Sequence, residues 1–269
     1  MNSSSIEALK KLIANYIQPS YITKESRARD GIDSRLVTYI DPDSYVTEQF
    51  KTLRTNLYSL TPEKQLKSLA ITSAHSGEGK TISSANLSFT ISLDKEKRVL
   101  LIDADLRKPD LHRIFGLPRQ PGFSDILQGN IEMNKFFEKP ALENLYVIPA
   151  GSIMKSPSEV LISSKIRNII EEMKRNFDYV IFDTPPVLNV TDASILGALC
   201  DGVILVVRFE VTPKTIVEEA FNLLRNAQAK PIASILTGYH MPTYYYGKYK
   251  YYYKYPITPP KNIQDSHSL

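Results

Sequence analysis

The strongest constraint on this chain is the segment Ser73-Ala74-His75-Ser76-Gly77-Glu78-Gly79-Lys80-Thr81, set between an apolar run at residues 68–72 and a helical pattern at 82–93. Gly77 and Gly79 permit backbone dihedrals and a close approach that other residues resist. The backbone N–H groups of such a turn, with the N-terminus of the helix it opens, form a cradle for phosphate oxygens. The segment follows the pattern G-x-x-x-x-G-K-[ST], with Ala74 in place of the first glycine. It predicts a strand, a tight loop and a helix that together hold a nucleoside triphosphate with Mg²⁺. Ser76, Gly77, Glu78, Gly79, Lys80, Thr81 and Ile82 are the expected nucleotide-binding residues. Lys80 would neutralise phosphate charge, and Thr81 would present its hydroxyl to the metal.

Further apolar runs lie at 99–103, 145–149, 179–183, 203–207 and 232–236, with helical patterns such as 158–175 and 214–227 between them. Most of the runs are continuous, which is how strands buried on both faces read. The alternation predicts an α/β fold, a doubly wound and mostly parallel sheet spanning residues 44–238. Ligands in such sheets bind beyond the carboxyl ends of the strands. Residues 1–43 form a leader in which Ile6, Leu9, Leu12, Ile13, Tyr16 and Ile17 sit at helical spacing. We read it as a short helix docking on the core or on a partner, with a membrane-surface helix as the alternative.

At 239–269 the composition changes to a flexible, tyrosine-rich tail. Tyr239, Tyr244, Tyr245, Tyr246, Tyr249, Tyr251, Tyr252, Tyr253 and Tyr255 are interleaved with Lys248, Lys250 and Lys254. Pro242, Pro256, Pro259 and Pro260 discourage regular structure there.

Composition excludes several classes. The net charge of +4 is too mild to argue for nucleic acid. No apolar run approaches the roughly 18 residues that span a bilayer, and the first twenty residues lack the apolar core of a secretory signal. The single cysteine, Cys200, rules out an intramolecular disulfide framework, suits a reducing cytosol and reads as a core residue.

A phosphate-binding loop also calls for an aspartate at the end of a nearby apolar strand. Two runs end this way, at Asp183 and at Asp103, the latter followed by Asp105. Mg²⁺ takes oxygen ligands and keeps several waters, so one carboxylate commonly acts through water. A second carboxylate is then free to accept the proton of an attacking hydroxyl.

These segments together resemble a family. Ser73 to Thr81, Leu101-Ile102-Asp103-Ala104-Asp105-Leu106-Arg107-Lys108-Pro109 and Val180-Ile181-Phe182-Asp183-Thr184-Pro185-Pro186 are similar to the bacterial tyrosine kinases of capsule and exopolysaccharide operons. Those kinases are relatives of the MinD/ParA phosphate-loop ATPases. The likeness takes in Gly122-Phe123-Ser124-Asp125-Ile126-Leu127, Pro157-Ser158-Glu159-Val160-Leu161 and the tyrosine-rich tail.

The resemblance implies an ATP- and Mg²⁺-dependent protein-tyrosine kinase. Lys80 and Thr81 would bind phosphates and metal, Asp103 would act as base, and Asp105 and Asp183 would organise the metal. Glu48, Lys51 and Arg54 match an oligomerisation motif, with Lys51 where the family has arginine. The same resemblance implies a ring-shaped homo-oligomer of the octamer kind and a cognate tyrosine phosphatase. It also implies a membrane-spanning adaptor of the polysaccharide co-polymerase type, recruiting a cytoplasmic chain to the inner face of the membrane. His75 replaces the lysine of the MinD/ParA branch, and Thr237 stands where many members have asparagine near the adenine.

Beside such a site, Tyr244, Tyr245, Tyr246, Tyr249, Tyr251, Tyr252, Tyr253 and Tyr255 read as phosphoacceptors. Each phosphate brings about −1.5 to −2 charges, so two would offset or reverse the sign of the segment. Two other functions compete: a MinD/ParA-like switch that passes phosphate only to water, and a nucleotide-sensing scaffold.

Overall fold

The computed structural model describes residues 13–17, 31–60 and 66–239. The eight tail tyrosines expected as acceptors lie outside the described residues, as do Ile6, Leu9 and Leu12 of the leader. The chain divides into two units, Met1–Tyr239 and His240–Leu269, and the first carries the fold described below.

The strands are β1 (Ile13–Ile17), β2 (Ser68–Ser73), β3 (Val99–Asp103), β4 (Leu145–Ile148), β5 (Tyr179–Asp183), β6 (Gly202–Arg208) and β7 (Pro231–Thr237). All pair in parallel, in the order β1-β7-β6-β2-β5-β3-β4. The helices, in chain order, are α1 (Val37–Ile40), α2 (Tyr45–Ser59), α3 (Lys80–Ser92), α4 (Leu111–Ile114) and α5 (Phe123–Gln128), then α6 (Pro157–Ile162), α7 (Ser164–Asn176), α8 (Asp192–Leu199) and α9 (Lys214–Asn226). A short 3₁₀ turn spans Met133–Phe136.

The expected parallel α/β sheet is therefore what forms, and its strands follow the apolar runs. Successive residues of one strand feed opposite cores. On β3, Leu100 and Ile102 join Phe182, Leu205 and the inner faces of α7, α8 and α9. Val99 and Leu101 join Leu69, Ile181, Leu87 of α3 and Phe50 of α2. Burial on both faces removes any need for alternation, which is why these runs are unbroken.

Two expectations are corrected. Residues Ile13–Ile17 form not a helix but the strand β1, paired in parallel with β7 so that Ile17 lies opposite Thr237. Isoleucine and tyrosine favour strands, and the open edge of β7 offers unpaired backbone groups; both override the helical spacing. The pattern at 158–175 is two helices, because Ser163 is extended (φ −61°, ψ 149°) and divides α6 from α7.

Among the described residues no helix is long and apolar enough to cross a membrane. Cys200 is buried beside the core, and burial pushes its thiol pKa up, as suits a packing residue and not a nucleophile.

Candidate active site

The phosphate loop runs from the end of β2 to the start of α3. Gly77 (φ +84°) and Gly79 (φ +94°) occupy left-handed backbone conformations that a side chain would strain. A Cβ on Gly79 would also lie 3.4 Å from Cγ2 of Thr237.

The loop is braced from several sides. The buried carboxylate of Glu78 turns inward, where its Oε2 accepts the N–H groups of Ala74 (2.8 Å) and His75 (3.3 Å). Its Oε1 accepts the hydroxyl of Thr212, and its backbone carbonyl accepts the Thr237 hydroxyl at 2.7 Å. Arg208, at the end of β6, donates Nη1 to the Gly77 carbonyl at 3.1 Å. Of the seven loop residues expected to hold nucleotide, Glu78 has only its backbone to offer, its side chain being committed to the loop's shape. Thr237, expected near the base, also has its hydroxyl engaged by the loop.

Lys80 and three aspartates converge beneath this loop. Strands β3 and β5 place Asp103 and Asp183 opposite each other in register. Lys80 Nζ donates to Asp105 Oδ2 at 2.8 Å and lies 3.9 Å from Asp183 Oδ2 and 3.2 Å from the Thr81 hydroxyl. Asp105 Oδ1 accepts the Lys108 N–H at 2.9 Å, which fixes the orientation of that carboxylate. Ser84, one turn into α3, donates to Asp183 Oδ1 at 3.2 Å. Asp103 Oδ2 accepts the Leu111 N–H at 3.0 Å. The remaining oxygens, Asp103 Oδ1 and Asp183 Oδ2, are buried without a hydrogen-bond partner.

The electrostatics follow from that crowding. Burial works against the Lys80 ammonium, but Asp183 and Asp105 more than offset it, so its pKa is raised. Burial, reinforced by the charge of Asp183, pushes the Asp103 carboxyl well above the usual range, against the Leu111 N–H and Lys80. Burial likewise raises Asp183, although Lys80 and the Thr81 and Ser84 hydroxyls pull the other way.

Asp103, Asp105 and Asp183 are close but do not form a ready-made metal cage, and no other such group of acidic, histidine or cysteine side chains does so among the described residues. That suits Mg²⁺, which is bound through one or two carboxylates together with substrate phosphates and water. The orphaned oxygen of Asp183, the Thr81 hydroxyl, the neighbouring Asp105 carboxylate and the adjoining cradle make a fitting donor set.

The expected oligomerisation residues lie elsewhere, on α2. Glu48 and Lys51 pair with each other at 2.6 Å, and Arg54 donates to the Thr90 carbonyl at 2.9 Å. Asp125, in a segment that carried the resemblance, ties two loops together: it accepts the N–H of Gly122 (2.8 Å) and the hydroxyl of Ser152 (2.6 Å).

Sequence reasoning passed over Arg208, Thr212 and Ser84, none of which belongs to the loop pattern. The one available signal was for Arg208, because β6 ends there on the ligand side of the sheet.

Comparison with known proteins identifies the family. A family model described as an AAA domain matches residues 66–235. CapB of Staphylococcus aureus is 36% identical over 220 residues, 82% of this chain and 95% of CapB. The tyrosine-protein kinase YwqD of Bacillus subtilis (strain 168) is 36% identical over 217 residues, 81% of this chain and 90% of YwqD. The kinase domain of the Escherichia coli tyrosine kinase ETK superposes with a TM-score of 0.78 at 30% identity, covering 86% of this chain and 92% of that domain. The chain belongs to the bacterial tyrosine kinases. As a member of that family it is a nucleotide-binding protein-tyrosine kinase, and the MinD/ParA-like switch is not the favoured reading.

Proposed function

We propose that this kinase transfers the γ-phosphoryl group of ATP to tyrosine hydroxyls, those of its own tail included. The observation that carries the reading is the meeting of Lys80 with Asp103, Asp105 and Asp183 directly beneath a phosphate-shaped loop.

The loop amides and Lys80 hold the triphosphate, and Lys80 offsets charge on the β- and γ-oxygens. Thr81, Asp105 and Asp183 are the residues that would hold Mg²⁺. Bound there, the ion would neutralise charge on the phosphate oxygens. Asp103 accepts the proton of the attacking tyrosine. Its Oδ1, which no hydrogen-bond donor occupies, is the oxygen available to take that proton. A new O–P bond to tyrosine forms, the bond from the γ-phosphorus to the bridging oxygen breaks, and ADP leaves.

The tail supports the choice of acceptor. Tyr244, Tyr245, Tyr246, Tyr249, Tyr251, Tyr252, Tyr253 and Tyr255 supply hydroxyls on a proline-punctuated segment able to reach a neighbouring subunit. Glu48, Lys51 and Arg54, spaced along α2, are the residues we assign to a homo-oligomeric ring. Membership of this kinase family supports a place in capsular or exopolysaccharide synthesis; we further assign to the chain a membrane-spanning adaptor that recruits it and a tyrosine phosphatase that reverses its reaction.

Purified protein incubated with ATP, Mg²⁺ and the adaptor's cytoplasmic segment should gain phosphotyrosine on the tail, and Lys80→Met should not. Absence of phosphotyrosine with the adaptor present would overturn the proposal.

A further inference from the structure

Arg107 stands two residues beyond Asp105, in the loop that leaves β3. Its guanidinium does not face solvent freely. Nε donates to Asp192 Oδ2 at 3.1 Å, Nη2 donates to the Ser158 hydroxyl at 3.0 Å, and Nη2 also reaches Asp192 Oδ1 at 3.5 Å. Ser158 in turn donates to Asp192 Oδ1. Asp192 is fully buried in the first turn of α8, at the far end of the loop that leaves β5 after Asp183. Arg107 is the only cation within ion-pair distance of it among the described residues.

Two loops that each begin at a site aspartate are thus tied twice. At the near end, the Ala104 N–H donates to the Asp183 carbonyl at 2.9 Å. At the far end, Arg107 grips Asp192. Between the ties lies Asp105, aimed by its hydrogen bond from Lys108 N–H, so the turn that orients it contains Arg107. The hydrogen bond from Arg107 to Ser158 also joins two segments, Leu106-Arg107-Lys108-Pro109 and Pro157-Ser158-Glu159, to which the phosphate chemistry gives no role of its own.

We propose that Arg107, acting through Asp192 and Ser158, is a positioning residue that holds Asp103, Asp105 and Asp183 in their working arrangement. The proposal rests on the tyrosine-kinase reading for its rate effect. A planar guanidinium is required, because only a fork contacts Asp192 and Ser158 together; a lysine supplies the charge from a single point.

The test uses the full-length protein with three variants: Arg107→Ala, Arg107→Lys and the neutral pair Arg107→Gln with Asp192→Asn. Removing Arg107 alone leaves a buried carboxylate uncompensated, so Arg107→Ala should lower Tm. The neutral pair removes that charge and should recover Tm. Tyrosine phosphorylation should fall about 10–100-fold in kcat for Arg107→Ala and for the neutral pair, with KM for ATP little changed. Arg107→Lys should recover Tm but only part of kcat.

A second readout needs no phosphate transfer: the Mg²⁺ concentration for half-maximal binding of a fluorescent ADP should rise in parallel with the loss of kcat. If the neutral pair or Arg107→Lys regains Tm, kcat and the Mg²⁺ midpoint together, Arg107 is only structural and the proposal fails. If the wild-type chain itself transfers no phosphate, the kinase reading fails, and the Mg²⁺ midpoint still decides the role of Arg107.

Discussion

The two ends of the central strands treat the same residue type in opposite ways. At the amino end, Asp201 is saturated: Oδ2 accepts Lys67 N–H (3.0 Å), Ser68 N–H (2.8 Å) and the Ser68 hydroxyl (2.9 Å), and Oδ1 pairs with Lys174 at 3.2 Å. Burial works against its charged form, but those donors win, and its pKa is lowered. At the carboxyl end, Asp103 and Asp183 each keep a buried oxygen without a donor, and both pKa values are raised. One end is built for stability. The other leaves buried oxygens unpaired at a cost in stability, as the proposed ligand-binding role requires.

The severest way to test the contrast is to remove the cation of the active end. Lys80→Met leaves Asp105 and Asp183 without their counter-charge, and phosphotyrosine formation should fall by at least about 10³-fold in a discontinuous kinase assay. Retention of a tenth of the rate would show that the loop amides alone hold the phosphates.

Asp103→Asn separates function from stability. Transfer should drop about 10²–10⁴-fold, as for loss of a general base. Tm of the nucleotide-free protein should rise. The folded carboxyl holds its proton to higher pH than the unfolded one, whose pKa is about 3.9. Its contribution is therefore most favourable below that value and is lost as pH rises through the folded pKa. The Tm gain of Asp103→Asn should accordingly grow as pH rises above the unfolded value toward the raised folded one, by scanning calorimetry. A lower Tm at every pH would break the comparison.

Asp201→Ala should do the reverse. It leaves the Lys67 and Ser68 donors unmatched and should cost about 1–3 kcal/mol in urea unfolding, with the rate per folded molecule unchanged. The sign of its pH dependence is opposite: with a lowered folded pKa, its contribution is present above the unfolded value and lost as pH falls through the folded one. Smallest of all, Lys51→Ala breaks a pair near the surface and should change stability by about 1 kcal/mol or less. A larger effect that depends on protein concentration would place Lys51 in a subunit contact.

The sheet was legible because burial on both faces writes each strand as an apolar run. The runs at 99–103 and 179–183 coincide with β3 and β5, aspartates included. The phosphate loop was legible because its geometry demands Gly77 and Gly79. The leader misled because Ile13, Tyr16 and Ile17 suit either spacing, and only the β7 edge decides between them. The inward turn of Glu78 and the grip of Arg107 on Asp192 were invisible for a different reason. Each joins residues distant in sequence, Glu78 with Thr212 and Arg107 with Ser158 and Asp192, and no local pattern records such a meeting.

The central claim, that this buried lysine–aspartate cluster delivers phosphate to tyrosine, is tested most directly by intact-mass measurement after incubation with ATP and Mg²⁺. Wild-type protein should gain whole multiples of one phosphoryl group, all located by peptide mapping beyond residue 239, and Lys80→Met should gain none. Turnover of ATP to ADP with an unmodified chain, adaptor present, would contradict the account.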